Sequence, residues 1–439
     1  MHKKFGRRMT LCLSLLAVLL LTGCRFSASV DELYTLPQMP GQYADLESKI
    51  KILLDEGAEY AAPSSGSNLQ ALQMTDLDGD GQEEALLFIR HSTQEHPLRI
   101  YVFCREGEGY RECATILGNG SSIYSVHYAD LTGDGISELL VGWRSGTESQ
   151  MLSVYTMRDL TPEERLNVPY TRYYVTEDGK PVIFHTDRDG ACLADCYTVE
   201  DGGTFSIAST LRLSCTAAEL AAGQVISGKT PDGVNALFVT GLSADFNTMS
   251  VDVVTRDGGT LHNASANTAT GYTDLRSAFI GLYPTDINGD GATEIPVSLS
   301  GTDVCGGSAV IWYSCDAEGN TAPALTTYHA LADGWYLTMP EQMQTGVSVA
   351  RVESESDMAV SFRQEEDGTP HEFLRIYAFG GDNRALRAYR EERFVLRTLS
   401  QTIYAGEFVG TGGLHAGITE ETIQNAFHLI ETEWFPGAN

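Results

Sequence analysis

The stretch DLDGDGQEE, Asp76 to Glu84, recurs in the chain as DLTGDGISE, Asp130 to Glu138, and as DINGDGATE, Asp286 to Glu294. Each copy carries an acid at positions 1, 5 and 9, an oxygen-bearing side chain at position 3, and glycine at positions 4 and 6. Glycine suits a tight loop because it has no Cβ to oppose left-handed backbone angles. Each copy then enters a run of apolar, mostly β-forming residues, so the sequence predicts a loop that feeds a strand, made three times.

Such a loop can direct several oxygens at one point. Calcium binds six to eight oxygens at about 2.3–2.6 Å, and donor sets made only of oxygen favour calcium or magnesium over zinc or copper. We predict three structural calcium sites, formed by the side chains at positions 1, 3, 5 and 9 and the backbone carbonyl at position 7. The predicted ligands are Asp76, Asp78, Asp80, Gln82 and Glu84; Asp130, Thr132, Asp134, Ile136 and Glu138; and Asp286, Asn288, Asp290, Ala292 and Glu294. The second site should be the weakest, because Thr132 brings neither a charge nor an amide.

These loops are not EF-hands. An EF-hand needs a bidentate glutamate at position 12, where this chain has Leu87, Val141 and Val297. The alternative is that Asp-Gly and Asn-Gly serve only as turn formers. Acids matched at three positions in three copies favour the metal site.

The N-terminus has the features of a secretory leader. Basic residues precede an apolar run from Leu11 to Leu21 that is short for a membrane span, and LTGC follows at Leu21 to Cys24. LTGC resembles the bacterial lipobox, in which the cysteine becomes the lipidated N-terminus. We therefore predict a signal peptide at 1–23, lipid on Cys24 as the attachment to the cell membrane, and an extracytoplasmic location. Residues 24–68 then hold the lipidated cysteine, a tether and a helix from Tyr43 to Gly57.

The formal charge of the chain limits the classes of partner that it can bind, and its cysteines include candidate disulfide pairs. Loss of the leader removes four basic and no acidic residues, which takes the formal charge from −30 to −34. So acidic a body repels nucleic acid and anionic membrane surfaces. Cys104 and Cys113 flank a turn signal and could pair across a hairpin, and Cys305 and Cys315 could do the same; buried free thiols are the alternative.

From 69 to 410 the chain reads as short strands separated by Gly-rich turns, without a helix of useful length. The first two loops lie 54 residues apart, and the third follows 156 residues later, three times 52. A repeat of this length accommodates four strands, the size of a propeller blade. We predict an all-β fold, a β-propeller over 69–410 with seven blades or alternatively six. Two missing repeats would fall near residues 182 and 234, with remnants of the loop at 184–190 and 242–245.

With these loops at blade spacing, the chain resembles calcium-binding β-propellers with FG-GAP or VCBS-type repeats, such as integrin α-chain heads. The resemblance rests on the loops over about 70–160 and 277–330. Elsewhere in the chain it rests only on the repeat length. It implies that each metal loop lies between adjacent strands of a blade and is structural. The Phe-Gly and Gly-Ala-Pro parts of the family signature are missing beside the loops, and Glu stands at position 9 where Asp is commoner.

The C-terminal part, 411–439, predicts a helix capped by Thr419, with Ile423, Phe427, Ile430 and Trp434 on one face. The chain lacks the common motifs of serine hydrolases, zinc proteases and nucleotide-binding loops. The sequence therefore favours a lipid-anchored binding or scaffold protein with a protein or carbohydrate ligand. The alternative is a surface hydrolase or lyase acting on carbohydrate or peptide, with its site in the propeller channel.

Overall fold

The computed structural model describes residues 43–118, 120–146, 149–200, 202–298, 309–354, 357–366, 369–410 and 418–430. The predicted signal peptide, the lipidation site at Cys24 and the tether lie outside these residues. The described residues form two compact units: a small one of 43–57 with 105–111, and a large one of the other described residues. In the described part of the chain, no helix is both long enough and apolar enough to cross a bilayer.

The described part of the small unit is a helix and a hairpin tip. Helix α1, Ala44–Asp55, confirms the helix predicted from residue 43 to 57, and it buries Leu46 and Ile50. The carboxylate of Asp45 accepts a hydrogen bond from the backbone N–H of Tyr110 at 2.7 Å. This bond joins the first turn of α1 to the segment 105–111 within the small unit.

In the described residues, the large unit contains six antiparallel sheets, each built mainly from consecutive strands. Sheet 1 holds β1 (Glu59–Tyr60), β2 (Leu72–Thr75), β3 (Glu84–Arg90), β4 (Leu98–Glu106) and β5 (Gly109–Gly118). Sheet 2 holds β6 (Ser122–Ala129), β7 (Glu138–Ser145), β8 (Ser149–Thr156) and β9 (Glu163–Pro169). Sheet 3 holds β10 (Arg172–Val175), β11 (Pro181–Thr186), β12 (Ala191–Glu200) and β13 (Thr204–Thr216).

The other three sheets follow the same plan with additions. Sheet 4 holds β14 (Val225–Lys229), β15 (Asn235–Leu242), β16 (Thr248–Asp257), β17 (Thr260–Asn263) and β18 (Arg276–Ala278). Sheet 5 holds β19 (Ile295–Ser298), β20 (Ala309–Cys315), β21 (Thr321–Ala330) and β22 (Trp335–Thr338). Sheet 6 holds β23 (Val347–Ser354), β24 (Asp357–Glu366), β25 (Thr369–Gly380), β26 (Arg393–Thr398) and β27 (Thr402–Phe408), in the spatial order β23-β24-β25-β27-β26.

Each sheet packs face to face on the next one along the chain. Buried apolar clusters join sheets 1 and 2, 2 and 3, 3 and 4, 4 and 5, and 5 and 6. Representative pairs are Phe88 with Trp143, Leu140 with Ile183, Phe184 with Val239, Phe238 with Ile295, and Phe362 with Trp335. The chain is an all-β protein whose sheets succeed one another as propeller blades do. The described residues form six sheets. Six was the alternative to the seven blades that the sequence predicted.

The sequence predicts one helix before the propeller and one after it, and the described residues contain further short helices. Two short helices lie inside the span from 69 to 410: α2, Ala217–Ala222, and α3, Arg384–Ala388. Helix α2 forms because Thr216 and Glu219 make a capping box directly after β13. Helix α3 contributes Ala388 to the apolar cluster on one face of sheet 6.

The C-terminal segment is only partly helical. Thr419 caps α4, Glu420–Ala426, as predicted, and Ile423 is buried. The helix ends before Phe427, because Phe427–Leu429 forms strand β28, which pairs with β22 at the edge of sheet 5. The predicted helical face is therefore wrong beyond Ile423, since Phe427 lies in a strand; Trp434 lies outside the described residues.

The cysteines follow one of the two predicted pairings. Cys104 and Cys113 form a disulfide across the β4–β5 hairpin, as predicted. Cys315 is a free, buried thiol, and Cys305 lies outside the described residues. Cys192, Cys196 and Cys215 are also free and buried, which agrees with the alternative of thiols that serve as small apolar side chains.

Candidate functional site

The three nonapeptide loops share one hydrogen-bond frame, built on the aspartate at position 1. In the first loop, Asp76 accepts from the backbone N–H of Gly79 at 2.8 Å and of Gly81 at 2.9 Å, one bond to each carboxylate oxygen. Asp130 and Asp286 make the same two bonds in their loops, at 2.7 and 2.9 Å. All six glycines have positive φ between 76° and 90°, where a side chain is strained. The glycines and the first acid therefore fix the loop backbone together.

The glutamate at position 9 is a second anchor of the loop. Glu84, Glu138 and Glu294 are 3, 2 and 1 % exposed. Each accepts from the backbone N–H at position 2, at 2.9, 2.8 and 3.1 Å. Burial, with a smaller contribution from neighbouring aspartates, raises the pKa of Glu84 and of Glu294 to about 7, and raises the pKa of Glu138. A buried carboxylate among other acids is costly to ionise unless a positive charge is nearby.

The first loop brings three of its predicted ligands together. Single carboxylate oxygens of Asp76, Asp78 and Glu84 lie within 4.8 Å of one another. The carboxylate of Asp80 is not part of this cluster. It accepts hydrogen bonds from Gln82, from the backbone N–H at 2.7 Å and from the side-chain amide at 3.1 Å. In the described parts of the chain, this is the sole cluster of three acidic, histidine or cysteine side chains close enough to hold an ion.

The second and third loops use other partners at positions 3 and 5. Asp134 pairs with the guanidinium of Arg158 at 3.1 Å, and this ion pair helps to lower the pKa of Asp134. The hydroxyl of Thr132 is buried beside Asp134. In the third loop, the side-chain amide of Asn288 donates to Asp290 at 2.8 Å. At position 7, the N–H groups of Ile136 and Ala292 donate to the acid at position 5.

Sheets 1 and 2 have a nonapeptide loop between β2 and β3 and between β6 and β7. Sheets 3 and 4 have a short turn at the equivalent places, between β10 and β11 and between β14 and β15. These turns are 176–180 and 230–234, and in each a threonine hydroxyl takes the place of the first aspartate. Thr176 accepts from the N–H of Lys180 at 2.9 Å, and Thr230 from that of Val234 at 3.1 Å. The predicted remnants at 184–190 and 242–245 lie instead at the ends of β11 and β15 and in the turns that follow these strands. The signal that would have found the true equivalents is Asp178-Gly179 and Asp232-Gly233, 54 residues apart.

Two cavities lie near these strands. The larger has a volume of about 880 Å³ and is lined in part by Asp286 of the third loop. Two of its acidic lining residues, Asp178 and Glu177, already have partners in the protein. Arg256 contacts Asp178 at 2.6 Å, and Asn235 donates to Glu177 at 3.2 Å. The smaller, of about 640 Å³, is lined by the first strands of sheets 2, 3 and 4, which are β6, β10 and β14. Neither cavity was predicted from the sequence.

Comparison with known proteins supports the repeat. The FG-GAP-like repeat family matches residues 76–141, which span the first two loops. No curated protein matches the chain. Among solved structures, the chain is similar to the periplasmic gluconolactonase PpgL of Pseudomonas aeruginosa, at 14 % identity and a TM-score of 0.30, over 69 % of this chain and 84 % of that one. It is also similar to a hypothetical protein from Leishmania major, at 10 % identity and a TM-score of 0.23, over 63 and 92 % of the two chains. Likenesses this low carry no argument about function.

Proposed function

We propose that this protein is an extracytoplasmic, lipid-anchored binding or scaffold protein whose loops bind Ca²⁺ for structural reasons. The observation that carries the calcium role is the convergence of Asp76, Asp78 and Glu84 within 4.8 Å, with Glu84 buried. The donors are all oxygens, as hard cations require. The first loop is therefore the primary site, and the loops at 130–138 and 286–294 are secondary sites.

The physical benefit of the ion is relief of repulsion. Three carboxylates this close repel one another, and burial adds to the cost of ionising Glu84. A divalent cation offsets both effects. An ion that binds only the folded protein adds RT ln(1 + [L]/Kd) to stability, about 2.7 kcal/mol at a hundredfold excess over Kd. The loop at 130–138 should gain less, because Arg158 already supplies a positive charge to Asp134.

The proposed location rests on the sequence at the N-terminus. The basic residues, the apolar run and the LTGC at 21–24 occur in the order that a lipoprotein leader requires. Outside the cytoplasm, calcium is available at concentrations that fill even weak sites, whose Kd lies near 10⁻⁴–10⁻³ M. A lipid anchor and structural calcium suit a protein that holds a ligand or partner at the cell surface.

Asp78→Asn tests the calcium role with little disturbance to the loop. Asp78 makes one backbone bond, from the N–H of Asp80 at 3.2 Å, which an amide oxygen can also accept. In melting curves of the full chain in detergent, calcium should stabilise the wild type over chelator, and Asp78→Asn should lose most of the gain from the first loop. The matched control is Asp187→Asn in the β11–β12 turn, where Asp187 accepts from Asp189 and Ala191 N–H. This variant should keep the full calcium response. Identical wild-type curves with calcium and with chelator would mean that the loops are only turns.

A further inference from the structure

Two of the buried free cysteines lie on neighbouring strands of sheet 3. Cys192 is in β12 and Cys215 is in β13, and they are 0 and 3 % exposed. Ala191 pairs with Thr216 in antiparallel register, so Cys192 and Cys215, one residue further along each strand, come opposite each other. The next pair begins at Leu193 with a register shift, so the extra residues of the bulge lie on β13 beside Cys215. The strand pairing therefore brings the two cysteines together.

The two thiols are also on the same face of the sheet and in contact. Both belong to the apolar cluster between sheets 3 and 4. A hydrogen bond from Cys192, together with burial, raises the pKa of Cys215. Residues opposite each other in an antiparallel pair have Cα atoms about 4.5–5.5 Å apart, within the roughly 4.4–6.8 Å that a disulfide spans. The two sulfurs are therefore within reach of a bond.

Sheet 4 leaves room for this pair. Gly241 on β15 lies over Cys215, and an added Cβ at Gly241 would come within 2.4 Å of the Cβ of Cys215 and 3.3 Å of its Sγ. A larger residue on β15 would therefore displace the cysteine. A disulfide suits this apolar contact, since it replaces two weak S–H donors by a bond without polar hydrogens.

The other described free thiols are placed differently. Cys196 lies opposite Ser209 and follows Cys192 by four residues, which is about 13 Å along an extended strand. Cys315 belongs to the cluster between sheets 4 and 5, on the other side of sheet 4. Within the described ranges, Cys192 and Cys215 are therefore the one pair of free thiols that the fold holds together.

We propose that Cys192 and Cys215 are a site of oxidative modification and form a second disulfide, which joins β12 to β13 beneath sheet 4. This inference goes beyond the calcium and binding roles, and it rests on the proposed extracytoplasmic location, where disulfides persist. The bond forms while the chain folds, before sheet 4 covers the thiols, because both are buried afterwards.

The reaction is thiol–disulfide exchange with a disulfide oxidant. One cysteine thiolate attacks the oxidant, which gives a mixed disulfide and releases one oxidant thiolate. The second cysteine then attacks the cysteine sulfur of the mixed disulfide, so that the bond within the chain forms and the second oxidant thiolate leaves. The chain loses two electrons and two protons, and the oxidant is reduced to its dithiol.

The first test is peptide mapping of the full chain, purified from cells in detergent without reductant. Free thiols are blocked with N-ethylmaleimide in denaturant, and the digest is analysed by mass spectrometry before and after reduction. Peptides with Cys192 and Cys215 should be joined until reduction, whereas Cys196 should carry the maleimide. The bond between Cys104 and Cys113 reports whether the chain has met an oxidant.

The second test is urea unfolding at equilibrium, with and without dithiothreitol. The reductant should raise the unfolding equilibrium constant of the wild type, and the part due to this bond should be at least about tenfold. Cys192→Ala should keep only the response that comes from Cys104 and Cys113. Adding Cys215→Ala should reduce the response no further, because the bond is already lost. Cys196→Ala is the matched control, since it removes a buried thiol from the same strand and should keep the full wild-type response.

Maleimide on Cys192 and Cys215 while Cys104 and Cys113 are joined would overturn the proposal, as would a bond from either one to another cysteine. A full wild-type response to dithiothreitol in Cys192→Ala would overturn it as well. If all four cysteines are free in protein from cells, the proposed location fails. The reduced chain, refolded with reduced and oxidised glutathione, then decides the pairing: joined peptides support it and blocked thiols overturn it.

Discussion

Glu84 illustrates how one side chain can have two roles in a loop. The sequence predicts it as the closing ligand of a calcium site, and the structure places its carboxylate beside Asp76 and Asp78. The same carboxylate also accepts from the buried N–H of Leu77 at 2.9 Å. Glu138 and Glu294 repeat this bond in their loops. Position 9 therefore holds the loop together whether or not an ion is bound, which the spacing of acids alone does not reveal.

Glu84→Ala separates these two roles. The variant leaves the Leu77 N–H without its acceptor in a buried position, which costs about 1–3 kcal/mol. We expect this loss in the free energy of unfolding, measured by urea denaturation, even in the presence of chelator, with a further loss in calcium. Glu83→Ala is the control, since Glu83 is the exposed neighbour and should change neither value by more than about 0.5 kcal/mol. A Glu84→Ala protein as stable as the wild type in chelator would contradict the anchoring role.

The contact between two sheets depends on a buried acid as well as on apolar packing. Asp252 on β16 is 1 % exposed, and burial raises its pKa. It accepts from the hydroxyl and the N–H of Ser214 on β13 at 2.6 and 2.8 Å, and from the side-chain amide of Asn263 at 2.7 Å. The two bonds from Ser214 join sheet 3 to sheet 4, and the bond from Asn263 lies within sheet 4. Hydrogen bonds to a charged group are worth about 1.5–3 kcal/mol when both partners are present.

Asp252→Ala should therefore lower the free energy of unfolding by about 2–4 kcal/mol, because it leaves the half-buried donors of Ser214 and Asn263 without their acceptor. A double-mutant cycle with Ser214→Ala should give a coupling free energy of about 1–3 kcal/mol in urea unfolding. Asp257→Ala, at the exposed end of the same strand, is the control and should be nearly neutral. Additive effects of the two substitutions would mean that Asp252 does not join the sheets through Ser214.

Local signals in the sequence predicted whole elements well. The glycines and acids of the loops fix the turn between β2 and β3 and between β6 and β7, because their hydrogen bonds are made within the nonapeptide. The cap at Thr419 and the pairing of Cys104 with Cys113 are equally local. The period near 52 predicted the two sheets that lack a nonapeptide loop, since a strand repeat has to keep its length in order to stack.

Features that depend on distant parts of the chain could not be predicted. Strand β28 forms because Phe427 pairs with Leu337 at the edge of sheet 5, although the sequence after Thr419 has a helical pattern. The small cavity joins Ser125, Tyr170 and Arg172 only because their strands meet in the folded chain. The turns of sheets 3 and 4 were misplaced because threonine replaces the aspartate that marks the other loops.

At the scale of the whole molecule, the acidic body and the predicted anchor define how the protein meets a membrane. Removal of the proposed leader would take away the four basic residues of 1–8 and bring the formal charge from −30 to −34. Such a charge opposes binding to anionic lipid headgroups over about one Debye length, roughly 8 Å at physiological salt. Within the described ranges, no helix meets the length and hydropathy needed to span a bilayer. We propose that attachment depends on the lipid at Cys24.

Cys24→Ser tests this attachment. Replacing the thiol removes the proposed lipidation site, and the negative charge of the body opposes binding to anionic lipid headgroups. We expect the variant in the soluble fraction after cell disruption, with the β-rich circular dichroism and the calcium-dependent melting of the wild type. The wild type should stay with the membrane after a wash in high salt and leave it only in detergent. If the Ser variant also withstood the salt wash, a surface of the protein other than the lipid would be the anchor, and the apolar side chains exposed on sheet 6 and α3, such as Leu386 and Met358, would be the first to test.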